Sequence, residues 1–330
     1  MGEFDLIRRH FQHALKPPGV SLGNGDDAAL LSPAPGHQLA VSTDMLVEGR
    51  HFLSTVDPMA LGHKALAVNL SDLAAMGARP VAFTLAIALP RADDHWLQAF
   101  SAGLLSLADA HRCALVGGDT TAGPLNLCIT VMGEVPADQA LRRDAARPGD
   151  DVYVSGQLGD ARLALEVFRG RLQVPADAFA RARLRMERPE PRIALGLALR
   201  GVAHACADVS DGLLGDLGHI LQASGVSAEV DVATLMGSAA VSADVRDLPA
   251  GLAHTCVLAG GDDYELVFTA PESARQAVRD AALSAGLAVT RFARIVPAQG
   301  GACQARLLGV DGALYPLPAD ARLGGFDHFA

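Results

Sequence analysis

Apolar residues recur along this chain in two rhythms, and both break repeatedly at turns that carry acids. Runs of strand length occur at 38–43, 81–89, 113–116, 125–133, 152–155 and 264–269. Residues 58–76, 93–111, 160–168 and 213–223 instead repeat their apolar positions at spacings of three and four, which predicts helices. Pro58 opens the first of these and Gly77 stops it, the two places where a helix best accepts those residues. Residues 181–190 are rich in Arg and read as a solvated helix or loop. Strand and helix alternate in both halves, so the expectation is a layered α/β (α+β) fold. Between the halves, 136–149 breaks the apolar pattern with charge, Pro and Gly. This divides the chain into an N-terminal domain, 1–138, and a C-terminal domain, 139–330. A single large α/β domain is the alternative.

The acids gather at five turn-like motifs: GNGDD at 23–27, STD at 42–44, GGDTT at 117–121, ADVSDG at 207–212 and GGDD at 260–263. Two carboxylates ~4 Å apart repel by ~4 kcal/mol at an effective dielectric of ~20. A fold that gathers several must neutralise them with cations or protons, and Mg²⁺ carrying a polyphosphate suits an all-oxygen set. Asp44, Asp119 and Asp208 each follow an apolar run and are expected at strand carboxyl ends, where α/β sheets collect ligands. Each Asp singly fits a helix cap or an Asx turn equally well, and it is their repetition that favours a site. Asp72 lies on the apolar side of helix 58–76 and needs a partner: Arg79, Asn69 or a metal ion. Asp208 and Asp211 bracket Ser210 where a strand turns into a helix, leaving the helix amino end for a phosphate. Asp216, one turn further, is expected at the surface.

Composition narrows the classes. The formal net charge of −10 disfavours nucleic acid and anionic membrane as partners, since both need clustered Lys and Arg. No stretch approaches 18 uninterrupted apolar residues, and the first residues lack a signal-peptide pattern. Five cysteines without a CxxC pair suit a reducing, cytoplasmic setting with free thiols. There is no GxxxxGK[ST], no HRD with DFG, and no GxGxxG with an acidic partner.

Taken together, GEF at 2–4, GNGDDAALL from Gly23, STDMLVEGRHF from Ser42, HKALAVNLSDLAAMGARP from His63, VGGDTT from Val116, DVSDGLLGDLGHI from Asp208, GGDDYEL from Gly260 and GFDHF from Gly325 resemble the thiamine-monophosphate kinase family. That family lies within the aminoimidazole-ribonucleotide synthetase-like superfamily of ATP enzymes. The resemblance implies a two-domain fold, with the N-terminal domains pairing into a β-barrel in a homodimer. It implies ATP-dependent phosphorylation of thiamine monophosphate to thiamine pyrophosphate, with several Mg²⁺ ions. By motif, Asp27, Ser42, Thr43, Asp44, Asp72, Asp119, Asp208 and Asp211 would hold the metal. Gly118, Asp119, Arg143 and Ser210 would contact ATP, and His51, Asp262 and Phe326 the thiamine substrate. The family commonly has Glu where Asp262 stands and Tyr or Trp where Phe326 stands.

The implied acceptor is a phosphate monoester with a second pKa near ~6, already largely dianionic at neutral pH, so no general base is assigned. Two relatives in the same superfamily are disfavoured by cysteine placement. Selenophosphate synthetases carry a reactive Cys or selenocysteine early and hydrogenase-maturation proteins a terminal Cys, whereas here Cys113 is the earliest and the chain ends in Phe329 and Ala330. A non-catalytic, metal-dependent nucleotide sensor is the alternative from another class.

Overall fold

The computed structural model describes residues 3–309 and 311–323, and they form two compact units. Unit 1 comprises residues up to Leu73, Ala78–Asp138 and Glu187–Pro191, and unit 2 comprises Ala74–Gly77, Gln139–Met186 and the chain from Arg192 onward.

Unit 1 begins with α1 (Glu3–His10), followed by the short strands β1 (Val20–Leu22) and β2 (Leu30–Leu31). The main elements follow: β3 (His37–Val47), α2 (Pro58–Ala75), β4 (Arg79–Leu89), α3 (Asp94–Ala110), β5 (Ala114–Ala122) and β6 (Asn126–Pro136). Four of the strands make an open sheet in the order β3-β6-β4-β5, with β4–β5 parallel and the other pairs antiparallel. Burial alternates along β6: Leu127, Ile129 and Val131 are buried, while Cys128, Thr130 and Met132 are half-buried. This period of two marks one face covered and one face left more open.

The covering helices are α2 and α3. Helix α2 is apolar on nearly every side and is buried accordingly, including Leu61, Leu66, Leu70 and Leu73. Its approach to α3 depends on two glycines: a Cβ on Gly62 would strike the Phe100 carbonyl, and one on Gly103 would strike that of Met59. On the opposite face, Leu15, Val20, Ala29 and Leu31 cover only the end near Ala82, Ala114 and Met132. Leu39, Val41 and Met45 of β3 stay exposed, at 41, 61 and 54 %.

Unit 2 contains β7 (Asp151–Ser155), α4 (Asp160–Phe168), α5 (Ala176–Glu187), α6 (Ile193–Ala198), β8 (Ala205–Asp208), α7 (Leu213–Ser224) and β9 (Val226–Asp231). It continues with α8 (Val232–Gly237), α9 (Ala243–Arg246), α10 (Ala250–Ala259), β10 (Leu266–Ala270), α11 (Arg275–Ser284), β11 (Val289–Pro297) and β12 (Ala305–Leu308). The six strands form one sheet in the order β12-β9-β11-β7-β10-β8, in which only β9–β12 is parallel. Val154, Leu163, Leu217, Ile220, Val230, Val257 and Val267 share its core.

Two expectations change here. Both sheets are mostly antiparallel, so the rule that ligands gather at parallel strand ends does not govern the whole site. Asp44 and Asp119 do not end their strands: β3 runs on to Val47 and β5 to Ala122, because polar and glycine residues still pair through their backbones. Only Asp208 sits at a strand terminus. No closed barrel is formed by the described residues, since the unit 1 sheet has two edges, β3 and β5. No helix among the described residues is long and apolar enough to cross a membrane.

Candidate functional site

In unit 1 the acids are placed by an edge strand and the buried helix behind it. Side chains alternate along β3, so Ser42 and Asp44 share a face and Thr43 takes the other. The Ser42 hydroxyl donates to Asp72 Oδ2 on α2 at 2.5 Å, and the Asp44 backbone N–H donates to Asn69 Oδ1 at 3.0 Å. Asn69 in turn donates to the Ala65 carbonyl. Arg79 pairs with Glu134 instead of Asp72. Of the sequence-level partners weighed for Asp72, Arg79 is thus engaged elsewhere, and a serine from β3 takes up the helix carboxylate. Because Ser42 gives its proton to Asp72, its oxygen lone pairs are left for another electrophile or cation.

Thr43 lies with Thr130, hydroxyl to hydroxyl at 2.8 Å. Register places Thr43, Thr130, Thr84 and Gly117 in one rung, and Met45, Cys128, Ala86 and Asp119 two residues further along. Directly opposed residues share a face, so Thr43 and Asp119 belong to the open face and Ser42 and Asp44 to the helix-covered one. The expected ligand series therefore splits across the sheet. Gly118 sits between these roles. Its φ is +151°, and a Cβ there would collide with the Leu85 carbonyl, so β5 comes this close to β4 only with glycine.

Asp27 is exposed in the turn after β1, its N–H donating to Asp26 Oδ1 at 2.9 Å. His51 closes the turn after β3: its Nδ1 accepts from the Val47 N–H at 2.9 Å, which places the ring proton on Nε2.

In unit 2 the buried Asp208 ends β8, and the loop 209–212 leads into α7. Asp216, expected at the surface, is 2 % exposed and accepts from the backbone N–H groups of Ser210, Asp211 and Gly212 at 3.0, 3.1 and 3.1 Å. The helix amino end predicted to await a phosphate is therefore filled by the chain's own carboxylate. Burial pushes the Asp216 pKa up to about 7, aided by the Asp211 charge, while the three amides pull the other way. Sequence carried a signal for this: Gly212 caps α7 without a side chain, and an acid within the first turn can supply what it lacks.

The loop 260–264 binds this one. Asp262 N–H donates to the Ser210 carbonyl at 2.7 Å and Tyr264 N–H to that of Val209 at 2.9 Å. Beneath them Glu265, 1 % exposed, accepts from Ser155 Oγ at 2.6 Å and from Arg192 Nε and Nη2 at 2.8 and 2.5 Å. Arg143 is exposed in a single turn of 3-10 helix, Arg143–Ala145, near enough to Cys206 for its charge to act on that thiol. Phe326 lies outside the described residues.

The donors are oxygen throughout, hydroxyl and carboxylate, which fits Mg²⁺ and disfavours zinc or copper. Among the described residues no three His, Cys, Asp or Glu side chains converge into a ready cage. Magnesium needs none, since it keeps waters and takes one or two carboxylates plus substrate phosphates.

Residues 25–135 match the AIR synthase related protein, N-terminal domain, and 147–306 the AIR synthase related protein, C-terminal domain. The thiamine-monophosphate kinase of Salmonella typhimurium is 45% identical over 331 residues, covering 100% of this chain and 98% of the relative. That of Escherichia coli K12 is 46% identical over 334 residues, with the same coverage. Among solved structures, the thiamine-monophosphate kinase of Stenotrophomonas maltophilia K279a matches with a TM-score of 0.85 at 47% identity, over 96% of this chain and 98% of that one. AaThiL complexed with AMPPCP and TMP matches with a TM-score of 0.74 at 28% identity, over 99% and 97%.

Proposed function

The chain belongs to the AIR synthase related family, among its thiamine-monophosphate kinases, and from that premise we propose how it carries out the reaction. It is a thiamine-phosphate kinase: it phosphorylates thiamine monophosphate to thiamine pyrophosphate at the expense of ATP. The observation that carries this is full-length similarity at 45% identity, together with a structural relative that holds an ATP analogue and TMP.

The chemistry is in-line attack of the substrate phosphate on the γ-phosphoryl group, giving ADP in one step. The acceptor oxygen is already anionic, so no side chain is assigned as general base. The obstacle is repulsion between two anions, and it is met by charge placement rather than by covalent chemistry. Mg²⁺ would be held by Asp27, Ser42, Thr43, Asp44, Asp72, Asp119, Asp208 and Asp211, and when bound it supplies positive charge between the phosphates. The Ser42–Asp72 hydrogen bond supports this reading, because it presents one hydroxyl oxygen and one carboxylate as a pre-set pair. Thr43 and Asp119, on the open face, would serve a different ion from Ser42 and Asp44.

Gly118, Asp119, Arg143 and Ser210 would contact ATP, with Arg143 as the side-chain cation. His51, Asp262 and Phe326 would contact the thiamine substrate, His51 through its Nε2–H. The nucleotide-binding and dimerisation role falls to 1–138, and completion of the nucleotide and substrate site to 139–330. The exposed apolar positions Leu39, Val41 and Met45 support a homodimer built on the open sheet face, where two sheets could close as a barrel. Free thiols support a cytoplasmic setting.

The decisive assay mixes the protein with ATP, Mg²⁺ and thiamine monophosphate and follows both ADP and thiamine pyrophosphate. Equal release of the two is the expected result. ADP no faster than in the control without acceptor would favour a nucleotide sensor.

A further inference from the structure

We propose that Asp216 is a positioning residue for the acid-bearing loops of unit 2, acting through the backbone rather than by touching substrate or metal; the claim rests on the kinase reading of that site. Helix α7 starts at Gly212, whose lack of a side chain leaves the first amides without the usual cap. One oxygen of Asp216 takes the three consecutive N–H groups of Ser210, Asp211 and Gly212, and the side chain is almost wholly buried. A carboxylate so placed sets the direction of three consecutive peptide planes in the loop.

The consequence reaches the second motif. With their N–H groups turned inward to Asp216 or into the sheet, the loop residues turn the carbonyls of Val209 and Ser210 outward, where they accept from Tyr264 and Asp262. Those two residues hold left-handed backbones, φ +51° and +63°, a region that Asp enters fairly readily and Tyr rarely, so Tyr264 marks where the surroundings hold the chain. The packing is tight enough to transmit the constraint. A Cβ on Gly261 would come within 2.7 Å of the Ser210 carbonyl oxygen, and one on Gly212 within 2.8 Å of the Ala259 backbone. Asp216 thus fixes the loop carrying Ser210 and Asp211, and that loop fixes the one carrying Asp262.

The test compares the wild type with Asp216→Asn and Asp216→Ala by amide hydrogen exchange of the full chain, without ligands. Asn keeps the shape but replaces charge-assisted hydrogen bonds with weaker neutral ones, so both loops, 208–213 and 260–265, lose protection together by a fewfold. Ala increases the loss to roughly tenfold or more while β7 and β11 keep theirs. In steady-state kinetics the Asn variant shows a higher KM for thiamine monophosphate with a smaller change in kcat. The Asp216→Asn, Asp262→Ala double variant loses less than the product of the single losses, as coupled residues do. Loosening of only one loop, an even loss across unit 2, or no change in the Asn variant overturns the proposal. Should Ala fail to fold, the Asn comparison alone decides it. A wild type that makes no thiamine pyrophosphate would sink the kinase reading and leave the exchange result standing by itself.

Discussion

The hydroxyl of Ser42 on β3 donates across 2.5 Å to the carboxylate of Asp72 on α2, joining residues 30 positions apart in the chain. Asn at position 72 could still accept that proton but would carry no charge. Asp72→Asn is therefore expected to keep its melting temperature within a few degrees while transfer falls by roughly a hundredfold or more. Thiamine pyrophosphate formation across a Mg²⁺ titration measures it, and normal turnover at limiting Mg²⁺ would remove Asp72 from the metal set.

Gly118→Ala separates architecture from ligand contact. The added methyl meets the Leu85 carbonyl and the backbone cannot easily turn away at φ +151°, so stability should drop by about 3 kcal/mol or more. Urea denaturation reads this directly. An alanine variant with unchanged stability but weakened ATP binding would instead give the glycine a purely ligand-facing purpose.

How much of this was visible beforehand differs between elements for physical reasons. The helices now seen at 58–75, 94–110, 160–168 and 213–224 were legible to within about two residues, because their apolar spacing and flanking Pro or Gly act locally. Strand β5 was legible only as far as Val116: Gly117–Ala122 carries no apolar pattern and is held by pairing with Thr84–Leu89, a partner 33 positions away. The antiparallel order of unit 2 was illegible for the same reason, since periodicity states which face is buried but not which strand lies alongside. In the candidate site, the acid motifs stood out by residue type. The splitting of Thr43 and Asp119 from Ser42 and Asp44 follows from the pleat and needed the register. Asp216 departs from its surface expectation because its three partners are backbone amides, and in the sequence only a glycine cap followed by an acid in the first turn marks the arrangement.

Val41→Lys addresses the open sheet face. An exposed side chain at 61 % costs a lone unit little when changed, within about 0.5 kcal/mol, but a charge there would disrupt a face packed against a second copy. Sedimentation should report two chains for the wild type and one for the variant. A wild type that sediments as one chain rejects the dimer, and a variant that stays paired rejects this face.

His63 gives a pH dependence. Its Nε2–H donates to the Pro189 carbonyl, 2.8 Å away, and burial is the main force holding its pKa below 6.5, opposed by that hydrogen bond and by Glu190 and aided by Arg188. His111 is lowered as well, by burial and then by the His63 charge. A base depressed in the fold stabilises it above the unfolded pKa of 6.5, and that contribution is lost as pH falls through the folded values. Thermal stability should thus decline on acidification below about 6.5. His63→Gln should flatten that decline, and an unaltered slope would show that this ring is not the group taking up the proton.

The pairing of β3 with β6 sets an order in time as well as in space. His37 lies opposite Pro136, so the edge strand bearing Ser42 and Asp44 can take its place in the sheet only after β6, which follows α2, β4, α3 and β5 in the chain, has been made. On a ribosome, Ser42 and Asp44 then emerge well before the strand that holds their own, and a chain halted before β6 would lack that pairing.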